Sequence, residues 1–372
     1  GFDPLKNPDA PTIGTATGGN VSASVAFTAP ANVGGSAISA YYAVSNPDRI
    51  TVSGATSPIN VTGLTNGTPY TFTVWALNTY GPGPFSAASG SVTPAAPTGV
   101  FGGGNNTSSQ RVNVISSIII TTTGNATDFG DLISDTENIS ACASSARGVF
   151  AGGNVTGNTI VNVMQFISFS SAGNAADFGD LTVTSSSMGT GNNDTRGIFA
   201  GGQSSVFGAT TSVISFITIA SAGDATDFGD LLAANTSLAG CSSATRSVFG
   251  GGNAGSITNV IQFITTASTG NATDFGDLTV ARQNVAACSS STRGLFGGDD
   301  STNTIDFVTI ASAGNATDFG DLTESIYTSA GCSSKIRGVF GGGIRYSDFG
   351  RTNVIAFVTI ASAGNATDFG DL

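Results

Sequence analysis

The chain of 372 residues contains no histidine. Imidazole is the usual general base near neutral pH and the commonest transition-metal ligand, so His-dependent triads and His-containing metal centres are excluded together. Charge is sparse as well, at 10% of residues against about 25% in an average globular protein. Twelve cations face twenty-four acids, giving a formal net charge of −12. With no basic patch to displace counterions from phosphate, nucleic acid is not expected as a partner. No run approaches the roughly eighteen apolar residues of a membrane-spanning helix, so no membrane insertion is expected. Nor does any stretch sustain apolar residues at helical spacing. The sequence opens on glycine without a signal-like segment, and is expected to be processed or a window cut from a longer chain.

Glycine is abundant instead, at 52 residues. Together with Ser, Thr and Asn it suits short strands joined by tight turns. The dominant feature is a pentapeptide, Asp-Phe-Gly-Asp-Leu, written six times and ending at Leu132, Leu181, Leu231, Leu278, Leu322 and Leu372. Spacings of 49, 50, 47, 44 and 50 residues are the mark of a repeat architecture.

The segment before the repeats has another character. Alternation in Val21–Phe27, Ile38–Val44 and Tyr70–Ala76 predicts three half-buried strands, punctuated by Pro30, Gly34-Gly35, Asn66-Gly67 and Gly81-Pro82. Phe27-Thr28-Ala29-Pro30, Leu64 to Tyr70, Ala76-Leu77-Asn78 and Ser91-Val92-Thr93-Pro94 carry a resemblance to fibronectin type III domains. That resemblance implies a β-sandwich over residues 9–94, after an extension at 1–8. It also makes Tyr70 the tyrosine whose hydroxyl bonds back across a corner.

Superposed, the repeats show four short β-runs each. The first is small and mixed, as in Ala286-Ala287-Cys288-Ser289. The second follows an arginine, as in Arg147-Gly148-Val149-Phe150. The third is β-branched and aromatic, as in Val354 to Ile360, and the fourth contains Asp-Phe-Gly-Asp. Four strands in some 48 residues match a propeller blade, and an apolar run ending in Gly-Gly before a variable loop resembles kelch repeats. The expected fold class is therefore all-β: a fibronectin type III sandwich followed by a six-bladed kelch-like β-propeller over residues 95–372.

Closure is incomplete on this reading. Six copies of strands two to four meet five of strand one, since residues 95–98 leave no room for it ahead of the first unit. The missing strand is expected from a truncated remainder or from another chain; failing both, the first blade has three strands.

Cys142, Cys241, Cys288 and Cys332 occupy one repeat position, with Gly191 in its place in the third unit. Equivalent positions in a radial array lie too far apart for disulfides, so free, buried thiols are expected. The repeat arginines Arg147, Arg196, Arg246, Arg293 and Arg337 are expected to pair with repeat aspartates that also cap turns. A less favoured alternative is a ring of calcium sites using Asn125, Asp128, Asp131 and their equivalents.

Loops between strands two and three vary most, and variable loops on a rigid scaffold are the default place for recognition. The candidate ligand-binding residues are Arg345, Tyr346, Phe349 and Arg351 in the sixth unit, Phe207 in the third and Arg111 in the first. Neither catalytic residue nor cofactor is expected. A fibronectin-like module joined to Gly/Ser/Thr/Asn-rich units also resembles virion structural proteins of tailed, especially marine, bacteriophages. This implies a non-enzymatic appendage, fibre or surface decoration, located in the virion or extracellularly. Its implied partners are other virion proteins in an oligomeric assembly and a host-surface glycan or protein. The alternative is a bacterial surface or secreted adhesin.

Overall fold

The computed structural model describes residues 5–205, 208–299 and 302–372, and every regular element in them is a β-strand. The chain divides into two compact units, Gly1–Pro97 and Thr98–Leu372.

In the first unit, β1 (Thr12–Gly19), β2 (Ser22–Thr28) and β5 (Ile59–Thr62) form one antiparallel sheet. The other holds β3 (Ala40–Asn46), β4 (Thr51–Gly54), β6 (Thr71–Asn78) and β7 (Gly81–Pro82) in the order β4-β3-β6-β7. Alternation decides the inner faces. Ala23, Val25 and Phe27 of β2 meet Phe72, Val74 and Ala76 of β6 in one buried cluster, with Tyr41 against Phe27 at 4.7 Å. The strands begin one or two residues later than the alternation alone predicts, and Tyr70 falls just outside β6. Its hydroxyl accepts a hydrogen bond from the Thr65 N–H at 3.2 Å and donates to Asp48 Oδ2 at 2.6 Å, tying the corner together. Trp75 stays out of the core and stacks on Tyr42 across the outer face, 4.2 Å apart.

The six repeats of the second unit give one main antiparallel sheet each, beside two small sheets built from two-residue strands. The first of the main sheets has three strands, β8 (Thr98–Gly102), β9 (Val114–Ile119) and β10 (Thr127–Asp131). The other five have four; in the second repeat these are Ser140–Ala143, Arg147–Ala151, Val163–Ser168 and Ala176–Asp180, each paired with the next.

No sheet hides its own apolar faces, and the buried clusters show where they go. Five of six clusters draw on two consecutive repeats, and the other unites Phe101, Ile118 and Ile120 of the first repeat with Val339, Ile355 and Phe369 of the sixth. The line of contacts thus returns to its start. Hydrogen bonds agree: the Gly124 N–H donates to Phe369 O at 2.8 Å and the Ala126 N–H to Asp371 O at 2.7 Å.

The repeated pentapeptide is a device for these junctions. A bulge lies between Asp128 and Gly130 and turns Phe129 inward. Gly130 has φ near 150°, and a Cβ there would collide with the backbone of Gly173 in the following repeat. Only glycine allows this approach.

Candidate functional site

The repeated charges form junctions between sheets. Each repeat arginine lies over the strand-three phenylalanine of its own repeat, with guanidinium carbons 4.6 Å from the Phe166 ring and 4.5 Å from Phe216. Its Nη1 donates to a carbonyl in the following repeat, as Arg147 does to Ala220 O at 2.9 Å and Arg337 to Ile120 O at 3.2 Å. The arginines thus bind rings and backbone where sequence reasoning paired them with aspartates. None of the ion pairs among the described residues joins a repeat arginine to a repeat aspartate.

The asparagines of the Gly-Asn turns are equally committed. Asn125 Oδ1 accepts from the Asp371 N–H at 3.1 Å, and Asn174 Oδ1 from the Asp131 N–H at 3.1 Å. Each links one repeat to its neighbour, so Asn125 is directed to the sixth repeat and not toward Asp128 and Asp131. Among the described residues no three His, Cys, Asp or Glu side chains converge as a metal site would require. The thiols are buried in the junctions, Cys332 only partly, and all four are free. Burial pushes the Cys142 and Cys241 thiols up to about 12, far from a reactive thiolate.

A different arrangement appears where loops of the first, second and sixth repeats meet. A cleft of about 510 Å³ is lined by Asn105, Ser109, Gln110 and Arg111 from the first repeat, by Asp135, Glu137, Thr156 and Asn158 from the second, and by Arg351 from the sixth. The strand Thr136–Glu137 holds its wall, pairing with Asn154–Val155. Arg111 Nη2 lies 2.6 Å from Glu137 Oε1, with Nε at 2.9 Å from the same oxygen, and Nη2 also donates to Asn158 Oδ1 at 2.5 Å. Asn105 Nδ2 donates to the other Glu137 oxygen. This fork neutralises one acid with one base and ties four side chains, Asn105, Arg111, Glu137 and Asn158, together. Arg351 is the sixth repeat's contribution to the lining. Its backbone bridges Ile344, and its Nε is buried with no hydrogen-bond partner among the described residues.

Of the residues singled out from sequence, Arg111 and Arg351 come together in this cleft. Arg345 does not: it closes on Asp348, with Nη2–Oδ2 at 3.0 Å and Nε–Oδ1 at 3.2 Å. The Gly350 N–H, and then Arg345, hold the Asp348 carboxyl below its usual range. Tyr346 and Phe349 form an edge-on pair at 5.9 Å outside the cleft lining, and Phe349 is 70% exposed in the left-handed region, φ 53°. Phe207 lies outside the described residues. Glu137, Asp135 and Asn158 escaped sequence reasoning because they stand in the second repeat, whose loop looked unexceptional. Rarity was the available signal, since Glu137 is one of two glutamates in the chain.

The fibronectin type III domain family matches residues 9–91, and the two-sheet N-terminal unit is a domain of that family. No match to a curated protein was found.

Proposed function

We propose that Thr98–Leu372 forms a six-bladed, kelch-like β-propeller, and that the chain is a non-catalytic virion structural protein of a tailed phage. In this reading it is an appendage, fibre or surface decoration that assembles with other virion proteins and touches a host glycan or protein through its loops. The six-fold sheet contacts that return from the sixth repeat to the first support the propeller. The pairing of a fibronectin type III domain with near-identical glycine-rich repeats supports the virion assignment.

The observation that carries the binding role is the cleft shared by three repeats. Every residue that lines it carries a polar or charged side chain, and its one close acid–base pair is locked in mutual hydrogen bonds. Such a surface recognises hydroxyls and amides through fixed donors and acceptors rather than performing proton transfer. The exposed Tyr346–Phe349 pair adds an aromatic face in the loop that also supplies Arg351.

The test is binding of the purified protein to whole bacterial cells and to arrayed cell-surface glycans. Arg351→Ala and Tyr346→Ala are expected to weaken binding by about tenfold or more, with unchanged thermal stability. Equal binding by both variants rejects the loop surface. Gold labelling with a specific antibody tests location: label on phage particles supports the virion reading, and label on uninfected cells transfers the protein to the adhesin reading.

A further inference from the structure

The segment that leads into each four-stranded sheet places one buried residue at an equivalent point: Thr136, Ser185, Asn235, Arg282 and Ile326. Their carbonyls define the equivalence, accepting in turn from the N–H groups of Gly104, Gly153, Gly202, Gly252 and Asp299 in the preceding repeat. Three of the side chains donate to the end of strand two in their own repeat. Ser185 Oγ reaches Gly201 O at 2.8 Å, Asn235 Nδ2 reaches Gly251 O at 2.9 Å and Arg282 Nη2 reaches Phe296 O at 3.1 Å. Thr136 does not. Its hydroxyl donates backward to Ser134 O at 2.9 Å, and Gly152 O, the counterpart of Gly201 O and Gly251 O, accepts no hydrogen bond among the described residues.

Beside Thr136 lies a cavity of about 360 Å³, walled by Ile133, Val155, Val161 and Val163 and reaching Gly152 and Gln165. It adjoins the polar cleft, and Thr156 lines both. The ribbon of Thr136–Glu137 paired with Asn154–Val155 divides them. Alternation turns Thr136 and its partner Val155 to the cavity and Glu137 to the cleft. We propose that the cavity takes the acetamido group of an N-acetylated amino sugar whose ring hydroxyls lie in the polar cleft. This rests on the loop-surface reading above and names its ligand class.

The fourth repeat supplies the template. Gln262 stands opposite Phe249 there as Gln165 stands opposite Phe150, and the group at this point is the Asn235 carboxamide. An acetamido N–H can donate to Gly152 O as Asn235 Nδ2 donates to Gly251 O, while its methyl lies against the valines and Ile133. A guanidinium fits poorly. Arg282 is answered by the Asp306 carboxylate at 2.9 Å, but the second repeat offers neutral Gln165, whose Oε1 already accepts from the Ile133 N–H at 2.7 Å. A bare hydroxyl, which serves at Ser185, leaves the apolar wall uncovered. The adjoining cleft favours a sugar over a peptide carboxamide, because Arg111, Glu137 and Asn158 hold one another in place and present a fixed polar wall to ring hydroxyls.

The test titrates the full chain with N-acetylglucosamine, glucose and the tripeptide Gly-Asn-Gly, followed by saturation-transfer NMR. N-acetylglucosamine is expected to bind about tenfold tighter than glucose, with its acetyl methyl receiving the strongest saturation. Thr136→Asn, for which Asn235 is the natural precedent, supplies the chain's own carboxamide to Gly152 O and should bring N-acetylglucosamine down to the level of glucose. Thr136→Arg with Gln165→Asp copies the fifth repeat and should do the same, so the result does not depend on one variant folding. Three outcomes overturn the proposal: equal or no binding of the two sugars by the unmodified chain; acetyl preference surviving in both variants; or tighter binding of the tripeptide than of either sugar. If Arg351→Ala and Tyr346→Ala weaken cell binding while the two sugars bind equally, the acetamido assignment fails and the loop surface stands. Acetyl preference with cell binding unchanged in those two variants supports the cavity and rejects the loop surface alone.

Discussion

Arg282 and Asp306 are both wholly buried in a chain with few charges, and they explain each other. Arg282 Nη2 lies 2.9 Å from Asp306 Oδ2 and donates to Phe296 O, while Nη1 donates to Thr304 O at 2.7 Å. Asp306 also accepts from the Thr279 N–H at 2.9 Å and its hydroxyl at 2.6 Å. Burial lowers the arginine pKa and the Asp306 carboxylate opposes that, so the ion pair persists because every strong donor direction but Nε is answered. In the second and fourth repeats Gln165 and Gln262 stand where Asp306 does and accept from Ile133 and Leu232 N–H groups. The pair is thus a charged version of a joint made elsewhere by amides. Arg282→Met alone should destabilise the second unit by about 3–5 kcal/mol in urea unfolding, because it strands a buried carboxylate. Arg282→Met with Asp306→Gln should recover most of that loss. Equal losses in the single and double variants would show that packing, not charge, governs the site.

At the scale of elements, the first strand of a four-stranded sheet and the second strand of the next repeat interlock by complementary size. Gly197→Ser should cost about 1–3 kcal/mol by overpacking against Cys142 Sγ. Adding Cys142→Gly should restore stability, reproducing the Gly191–Ser247 junction of the next repeat. Thermal melts of the two variants check this, and an additive double variant would refute the interlock. Much at this scale was legible in sequence. Alternation in Val21–Phe27 and Tyr70–Ala76 revealed strands because one face of each is buried, and the four β-runs per repeat became strands in the order written. Hydrogen-bond partners were less legible. The arginines looked like partners for aspartates because sequence shows charge but not reach, and the carbonyls they bind belong to the next repeat.

For the molecule as a whole, the contact between the sixth repeat and the first carries the proposed ring. Phe101 fills against Gly341 the place that Phe296 fills against Gly250, although some 240 residues separate the first pair. Phe101→Ala should therefore destabilise the unit by about 3–5 kcal/mol, like Phe296→Ala. A much smaller loss in denaturant unfolding would mean that the two ends do not hold each other in solution.

The candidate cleft belongs to this scale, and its legibility followed from that. Arg111 and Arg351 stood out as cations in charge-poor loops, but nothing in a linear text brings position 351 beside position 111. Glu137, which organises the cleft, was passed over because its partner Arg111 lies in a different repeat. By itself the sequence determined the strand content, the repeat unit and the fibronectin type III domain, since these depend on periodicity and on turn residues close together along the chain. Only the tertiary structure decided which loops share a cleft, what the arginines bind and which residues meet across the junctions. These outcomes depend on apolar faces that no single sheet can bury, so they are settled when neighbouring sheets pack and distant residues are brought side by side.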